Sequence, residues 1–108
     1  MLSKYIKEAN LIFHVDGGHG WLKVSKEFFN KTNRTMKNIS CYSYYDNENY
    51  YLEEDVDASL YLKNLKAEKV KVNITFKDDG DYSPIRELNR IDSQLSSLAC
   101  FKNFFYKI

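Results

Sequence analysis

Residues 42–60 read YSYYDNENYYLEEDVDASL, and the order of residue types within them decides the fold. Tyr42, Tyr44 and Tyr45 end one strand-like run, Asp46-Asn47-Glu48-Asn49 is a turn, and Tyr50-Tyr51-Leu52-Glu53 returns as the paired strand. A hairpin of that form makes the tyrosines on its two sides cross-strand neighbours. The acidic run that follows predicts a helix start. A carboxylate at Asp55 or Asp57 would accept backbone N–H bonds and face the positive end of the helix dipole.

Working upstream, residues 39–45 predict the first strand of that hairpin, after a polar loop over 32–38. Ser25 is placed to cap a short helix over 26–31, with Phe28 and Phe29 as its apolar anchors. Before it, the apolar run 10–15, the turn Asp16-Gly17-Gly18-His19-Gly20 and the run 21–24 predict a second hairpin, the glycines supplying positive φ.

Downstream, Leu60, Leu62 and Leu65 mark the buried stripe of a helix ending near Glu68, with Lys63, Lys66 and Lys69 facing water. Val70, Val72, Ile74 and Phe76 alternate with Lys71, Asn73, Thr75 and Lys77, the clearest period-two strand in the chain. After a turn at 78–84, Ile85, Leu88, Ile91, Leu95 and Leu98 recur at helical spacing and predict a C-terminal helix over 84–100. The tail 101–108 holds three phenylalanines and a tyrosine. It is too apolar to hang in water, so it folds back or meets a partner, a second copy of the chain included. The expected fold is α+β: one domain over 1–108, with a small mixed or antiparallel sheet of about five strands and two to three helices.

Composition bounds the function. A chain of 108 residues with 44% hydrophobic residues, 16% aromatics and one proline is suited to a single ordered core. Sixteen basic and fifteen acidic residues leave a formal charge of +1. No whole-molecule field therefore draws it to nucleic acid or an acidic membrane, and near-neutrality argues against a globally acidic DNA mimic while leaving room for a local acidic face. The N-terminus has no apolar run long enough for a signal peptide or a spanning helix, which predicts a cytoplasmic protein with no membrane partner. Cys41 and Cys100 are too few and too far apart for a disulfide framework or a four-ligand zinc site and are read as reduced core thiols.

Four constellations bear on chemistry. His14, Asp16 and His19 are metal-type ligands gathered at a glycine turn, but no fourth ligand is indicated and the turn itself accounts for the glycines. The same turn is not a phosphate loop, because a strand follows it and no Gly-Lys-Ser/Thr is present. Glu53, Glu54, Asp55 and Asp57 are either a cation site or, more simply, a cap region displaying an acidic contact surface. Lys63, Lys66, Lys69, Lys71 and Lys77, with exposed tyrosines, are the residue types of an RNA platform, although their spacing is that of a solvated face. No motif marks a nucleophile, so neither catalysis nor a cofactor is predicted. The expected partner surface is Tyr42, Tyr44, Tyr45, Tyr50, Tyr51, Glu53, Glu54, Asp55 and Asp57. Tyrosine offers rigid amphipathic area there, and the acids match basic groups.

Gly18-His19-Gly20-Trp21-Leu22-Lys23-Val24, taken with Tyr42-Ser43-Tyr44 and Tyr51-Leu52-Glu53-Glu54-Asp55-x-Asp57-Ala58, resembles a family of small accessory proteins encoded by bacteriophages and other mobile elements. The resemblance spans residues 14–62 and continues weakly through 83–86, while 95–108 depart from it. The family pattern often has cysteine where this chain has Val56, which excludes a thiol role there. The family is not defined by an activity. What the resemblance implies is an accessory role carried out by occupying a host protein, with anti-CRISPR-like inhibition of an RNA-guided nuclease, alone or with its RNA, as the leading case.

Overall fold

The computed structural model describes residues 6–91. Strands β1 (Glu8–Val15) and β2 (Gly20–Ser25) form the expected hairpin, in the register Phe13↔Leu22 and Val15↔Gly20. The turn is organised by Asp16. Its Oδ1 accepts the N–H groups of Gly18 and His19, each at 3.0 Å, and its own N–H donates to the His19 carbonyl at 2.9 Å. Gly17 and Gly18 do not supply positive φ; among the described glycines only Gly80 does, at φ 84°. They leave room instead, since a Cβ on Gly18 would stand 3.3 Å from the Arg86 guanidinium.

Ser25 caps helix α1 (Lys26–Thr32) by accepting the Phe28 N–H at 3.0 Å. The predicted strand over 39–45 shrinks to β3 (Tyr44–Tyr45), because residues 39–43 are drawn into a bend by a buried carboxylate described below. Strand β4 (Asn49–Glu53) pairs with both β2 and β3, so Tyr44 lies opposite Tyr51 and Tyr45 opposite Tyr50, as the hairpin reading requires. A π-helical turn, Glu54–Ala58, leads into helix α2 (Ser59–Ala67). Strand β5 (Lys71–Asp78) then lies parallel to β1, with Ala9↔Val72, Leu11↔Ile74 and Phe13↔Phe76 as partners. The π turn and α2 thus carry the chain from β4 across β2 and β1 to the far edge of the sheet.

Residues 84–87 and 89–90 correct the expectation of a C-terminal helix from Pro84. Pro84–Glu87 is a single 3₁₀ turn, and β6 (Asn89–Arg90) follows it and pairs with β3. Ile85 is turned inward and Arg86 is pulled toward Asp16, so the helical spacing of apolar residues is overridden by a tertiary ion pair. The remainder of that predicted helix and the aromatic tail lie outside the described residues. The result is a mixed α+β fold with a six-stranded sheet, in the order β5-β1-β2-β4-β3-β6, and two α-helices among the described residues.

The main core lies between one sheet face and the two helices, with Leu22, Leu52, Tyr61 and Leu65 fully buried beside Leu11, Val24 and Phe29. Of the expected stripe Leu60, Leu62 and Leu65, Leu65 is fully buried and Leu62 packs against the core, whereas Leu60 is 48% exposed; within α2 the buried positions are Tyr61, Asn64 and Leu65, an i, i+3, i+4 pattern that Ala58 extends one turn back. Burial, opposed by the hydroxyl contact with Thr32, pushes the Tyr61 phenol up to about 12. On the other sheet face Trp21, Tyr44, Tyr51 and Ile85 form a smaller cluster, with Leu88 against it. No helix among the described residues is long and apolar enough to cross a membrane. Cys41 is buried and disulfide-bonded, which corrects its reading as a reduced thiol.

Helix α2 ends on Lys69 at φ 61°, closed by a Val70 N–H bond to the Leu65 carbonyl at 2.9 Å. A left-handed residue with a Cβ carries about 1 kcal/mol of strain that glycine does not. Lys69→Gly is therefore expected to raise stability by up to about 1 kcal/mol, measured by urea denaturation, with no change in the m-value.

Candidate functional site

The second sheet face is built around Asp16. Its side chain is fully buried, and its Oδ2 accepts Arg86 Nε at 2.6 Å and the Ser83 N–H at 2.9 Å. Arg86 Nη2 reaches Oδ1 at 3.0 Å, so the pair is bidentate. The Arg86 guanidinium beside it, together with the backbone bonds and against the desolvation of burial, holds the Asp16 carboxyl far below the usual range. The guanidinium also lies over the rings of Trp21, at 5.1 Å, and Tyr82, at 5.5 Å. This knot pins the segment after β5 onto the first hairpin.

A second carboxylate, Asp79, takes the Nδ1–H of His14 at 3.0 Å and the hydroxyl of Ser83 at 2.6 Å. Histidine and serine both donate to the same acid here, and Ser83 Oγ in turn accepts the Ile85 N–H at 3.1 Å. That is the reverse of a nucleophile activated through histidine, so the three residues act as a brace.

The metal-type trio of the first hairpin is therefore split three ways. Asp16 is taken up by Arg86 and the turn, and His14 by Asp79. His19 alone turns toward the acidic run, and one ligand atom from each of His19, Glu53 and Glu54 lies within 4.8 Å of the others.

The tyrosine and acid positions are also divided. Tyr42, Tyr44, Glu53 and Asp55 meet His19, Trp21, Val56, Arg86 and Arg90 around a pocket of about 240 Å³. Its floor is aromatic: Trp21 and Tyr44 meet edge to face at 6.2 Å, and Arg90 lies 5.3 Å over the Tyr44 ring. Tyr45 and Tyr50 face the opposite side, where they line a wider groove of about 430 Å³ with Phe29, Met36 and Ile39. Lys26 sits 4.9 Å over the Tyr45 ring.

Tyr51 and Asp57 are internal. The Tyr51 hydroxyl donates to Asp46 at 2.7 Å; burial first, then that carboxylate, pushes its phenol up to about 12. Asp57 is 1% exposed. It accepts the Ser40 N–H at 3.0 Å, the Ser40 hydroxyl at 2.7 Å and the Ser43 hydroxyl at 2.5 Å. Ser43 Oγ accepts the Glu53 N–H at 2.8 Å, which ties the bend at 39–43 to β4. The cap of the π turn is Glu53, whose Oε2 takes the N–H groups of Asp55 and Val56.

Arg86 and Arg90 were not among the candidate residues. The weak resemblance over 83–86 includes Arg86 and not Arg90, and nothing in their spacing announces a pocket. The lysines of the RNA reading are exposed on α2, β5 and the link between them, and β1 and β2 separate β5 from the strands that carry the tyrosines. The basic and aromatic halves of that platform are not brought together. No family model matches the chain, and no curated protein or solved structure matches it either.

Proposed function

We propose that this chain is an accessory protein that acts by binding another protein, with the pocket floored by Trp21 and Tyr44 as the contact site. The observation that carries this reading is that Tyr42, Tyr44, Glu53 and Asp55 converge there with Trp21, Arg86 and Arg90. Aromatic and arginine side chains in one concave patch are the composition of an interface anchor. Glu53 and Asp55 on its lining favour a partner that presents a lysine or arginine beside an apolar group. The resemblance to mobile-element proteins directs the choice of partner to a host RNA-guided nuclease, whose basic nucleic-acid channel offers that chemistry.

The test is guided DNA cleavage by purified RNA-guided nucleases, with the protein added in increasing ratio. Inhibition that saturates near one protein per nuclease is expected. The double substitution Tyr42→Ala with Asp55→Lys should weaken it at least tenfold, since both residues line the pocket, Asp55 exposed and Tyr42 half-buried. Inhibition unaltered by that folded variant would remove the pocket from the interface. Absence of both binding and inhibition would overturn the reading.

A further inference from the structure

We propose that His19, Glu53 and Glu54 form a binding site for a divalent first-row transition cation, with Zn²⁺ the preferred ion. The ligands come from two distant parts of the chain: His19 from the end of the first turn, and the adjacent Glu53 and Glu54 from the junction of β4 with the π turn. Their donor atoms nonetheless lie within 4.8 Å of one another. Around a tetrahedral zinc, ligand atoms stand about 3.4 Å apart, so closure requires shifts on the order of 1 Å. Exposed His19 and half-buried Glu54 can make such shifts by side-chain rotation.

The donor chemistry favours such an ion over calcium or magnesium. One imidazole nitrogen with two carboxylates suits zinc, manganese or iron, whereas the hard cations take oxygen throughout. Charge supplies an independent reason. Two carboxylates converge here, and among the described residues no lysine or arginine forms an ion pair with either. Of the two arginines on the wall of the same pocket, Arg86 is bound bidentately to Asp16, and Arg90 lies over the Tyr44 ring with Nη1 donating to the Cys41 carbonyl at 3.4 Å. Like charges held together without a counter-charge are unfavourable, and a divalent cation removes the repulsion.

The surroundings are built to allow the approach. Glu53 is oriented through Oε2 by the Asp55 and Val56 N–H groups. A Cβ on Gly20 would collide first with the Phe13 ring and would also stand 3.3 Å from Glu54 Oε2, so the bare Cα there makes room chiefly for Phe13 and also for the carboxylate. Three protein ligands leave at least one position open. His19 and Glu53 also line the proposed contact pocket, but the cation site is argued from its own ligands and is tested on the isolated chain without a partner.

The single tryptophan makes the test direct, because the Trp21 ring lies 6.2 Å from that of His19. Titration with Co²⁺ should quench its fluorescence saturably, Zn²⁺ should reverse the quench, and Mg²⁺ and Ca²⁺ at the same concentration should not. His19→Ala and Glu54→Gln should each weaken the Co²⁺ response at least tenfold. Both side chains lie outside the core, so folding should survive. Zn²⁺ should also raise the melting temperature of the wild-type chain and not of His19→Ala. His14→Gln serves as the control, since the buried His14 Nε2 has no hydrogen-bond partner. A saturable quench lost in His14→Gln but kept in His19→Ala would overturn the assignment, and so would the absence of any saturable quench.

Discussion

Asp16→Ala should destabilise the protein by about 3 kcal/mol or more, the range for removing one partner of a buried ion pair. The lower end applies because Arg86 is 24% exposed on its side chain, which softens the loss. The substitution leaves the guanidinium of Arg86 and the N–H groups of Gly18, His19 and Ser83 without their acceptor. For a domain of this size, that predicts a fall in melting temperature of at least about 12 °C.

The same bond predicts a pH signature. The folded carboxyl titrates far below its ordinary value of 3.8, so the unfolded chain takes up the proton first as acid is added. Its stabilisation is fully present above about pH 5 and drains away as the pH falls through about 4 and below. Urea denaturation of wild type and Asp16→Asn at pH 6 and pH 3 measures this. The gap between them should narrow at pH 3; a gap that is equal at both pH values would show that the pair does not hold the fold.

Asp57→Ala is the second large effect, expected at about 3 kcal/mol. One buried carboxylate accepts from two serine hydroxyls and a backbone N–H, and deletion removes the acceptor of all three, Ser43 being fully buried and Ser40 half-buried. The loss should also be local. Without Asp57 the bend at 39–43 is released from β4, so Tyr44 and Tyr45 should lose amide-exchange protection while Leu22 and Leu65 keep theirs. Asp57→Asn retains one acceptor and should recover part of the stability. If Asp57→Ala lowered partner capture with no loss of protection at Tyr44, Asp57 would be a contact residue rather than a frame.

These two aspartates mark where residue patterns stop being informative. Both hairpins, the Ser25 cap and the Tyr44–Tyr51 pairing follow from local chemistry, since side-chain periodicity and turn residues act over a few positions; β5 forms where its alternation predicts a strand, but Val72 and Ile74 are only half-buried and Phe76 is 68% exposed. The acidic run 53–57 reads as one surface because all its members are alike in sequence. The structure divides it: Asp57 goes into the core, Glu53 to a cap, Glu54 toward His19, and Asp55 to solvent. A π turn inside that run sets the division, and its wider winding has no signature in residue type.

The apolar spacing at 85–91 carries the same lesson in reverse. A helix there would satisfy the periodicity, yet the bidentate bond from Arg86 to a buried carboxylate seventy residues away outweighs it. By itself, then, the amino-acid sequence determined the α+β class, the two hairpins, the first helix and the aromatic and acidic residue types that line the pocket. Only the tertiary structure decided which acids face solvent, that Arg86 and Arg90 close the pocket, and that His19 meets Glu53 and Glu54. Those are contacts between distant segments, set by burial and charge pairing rather than by neighbours in the chain.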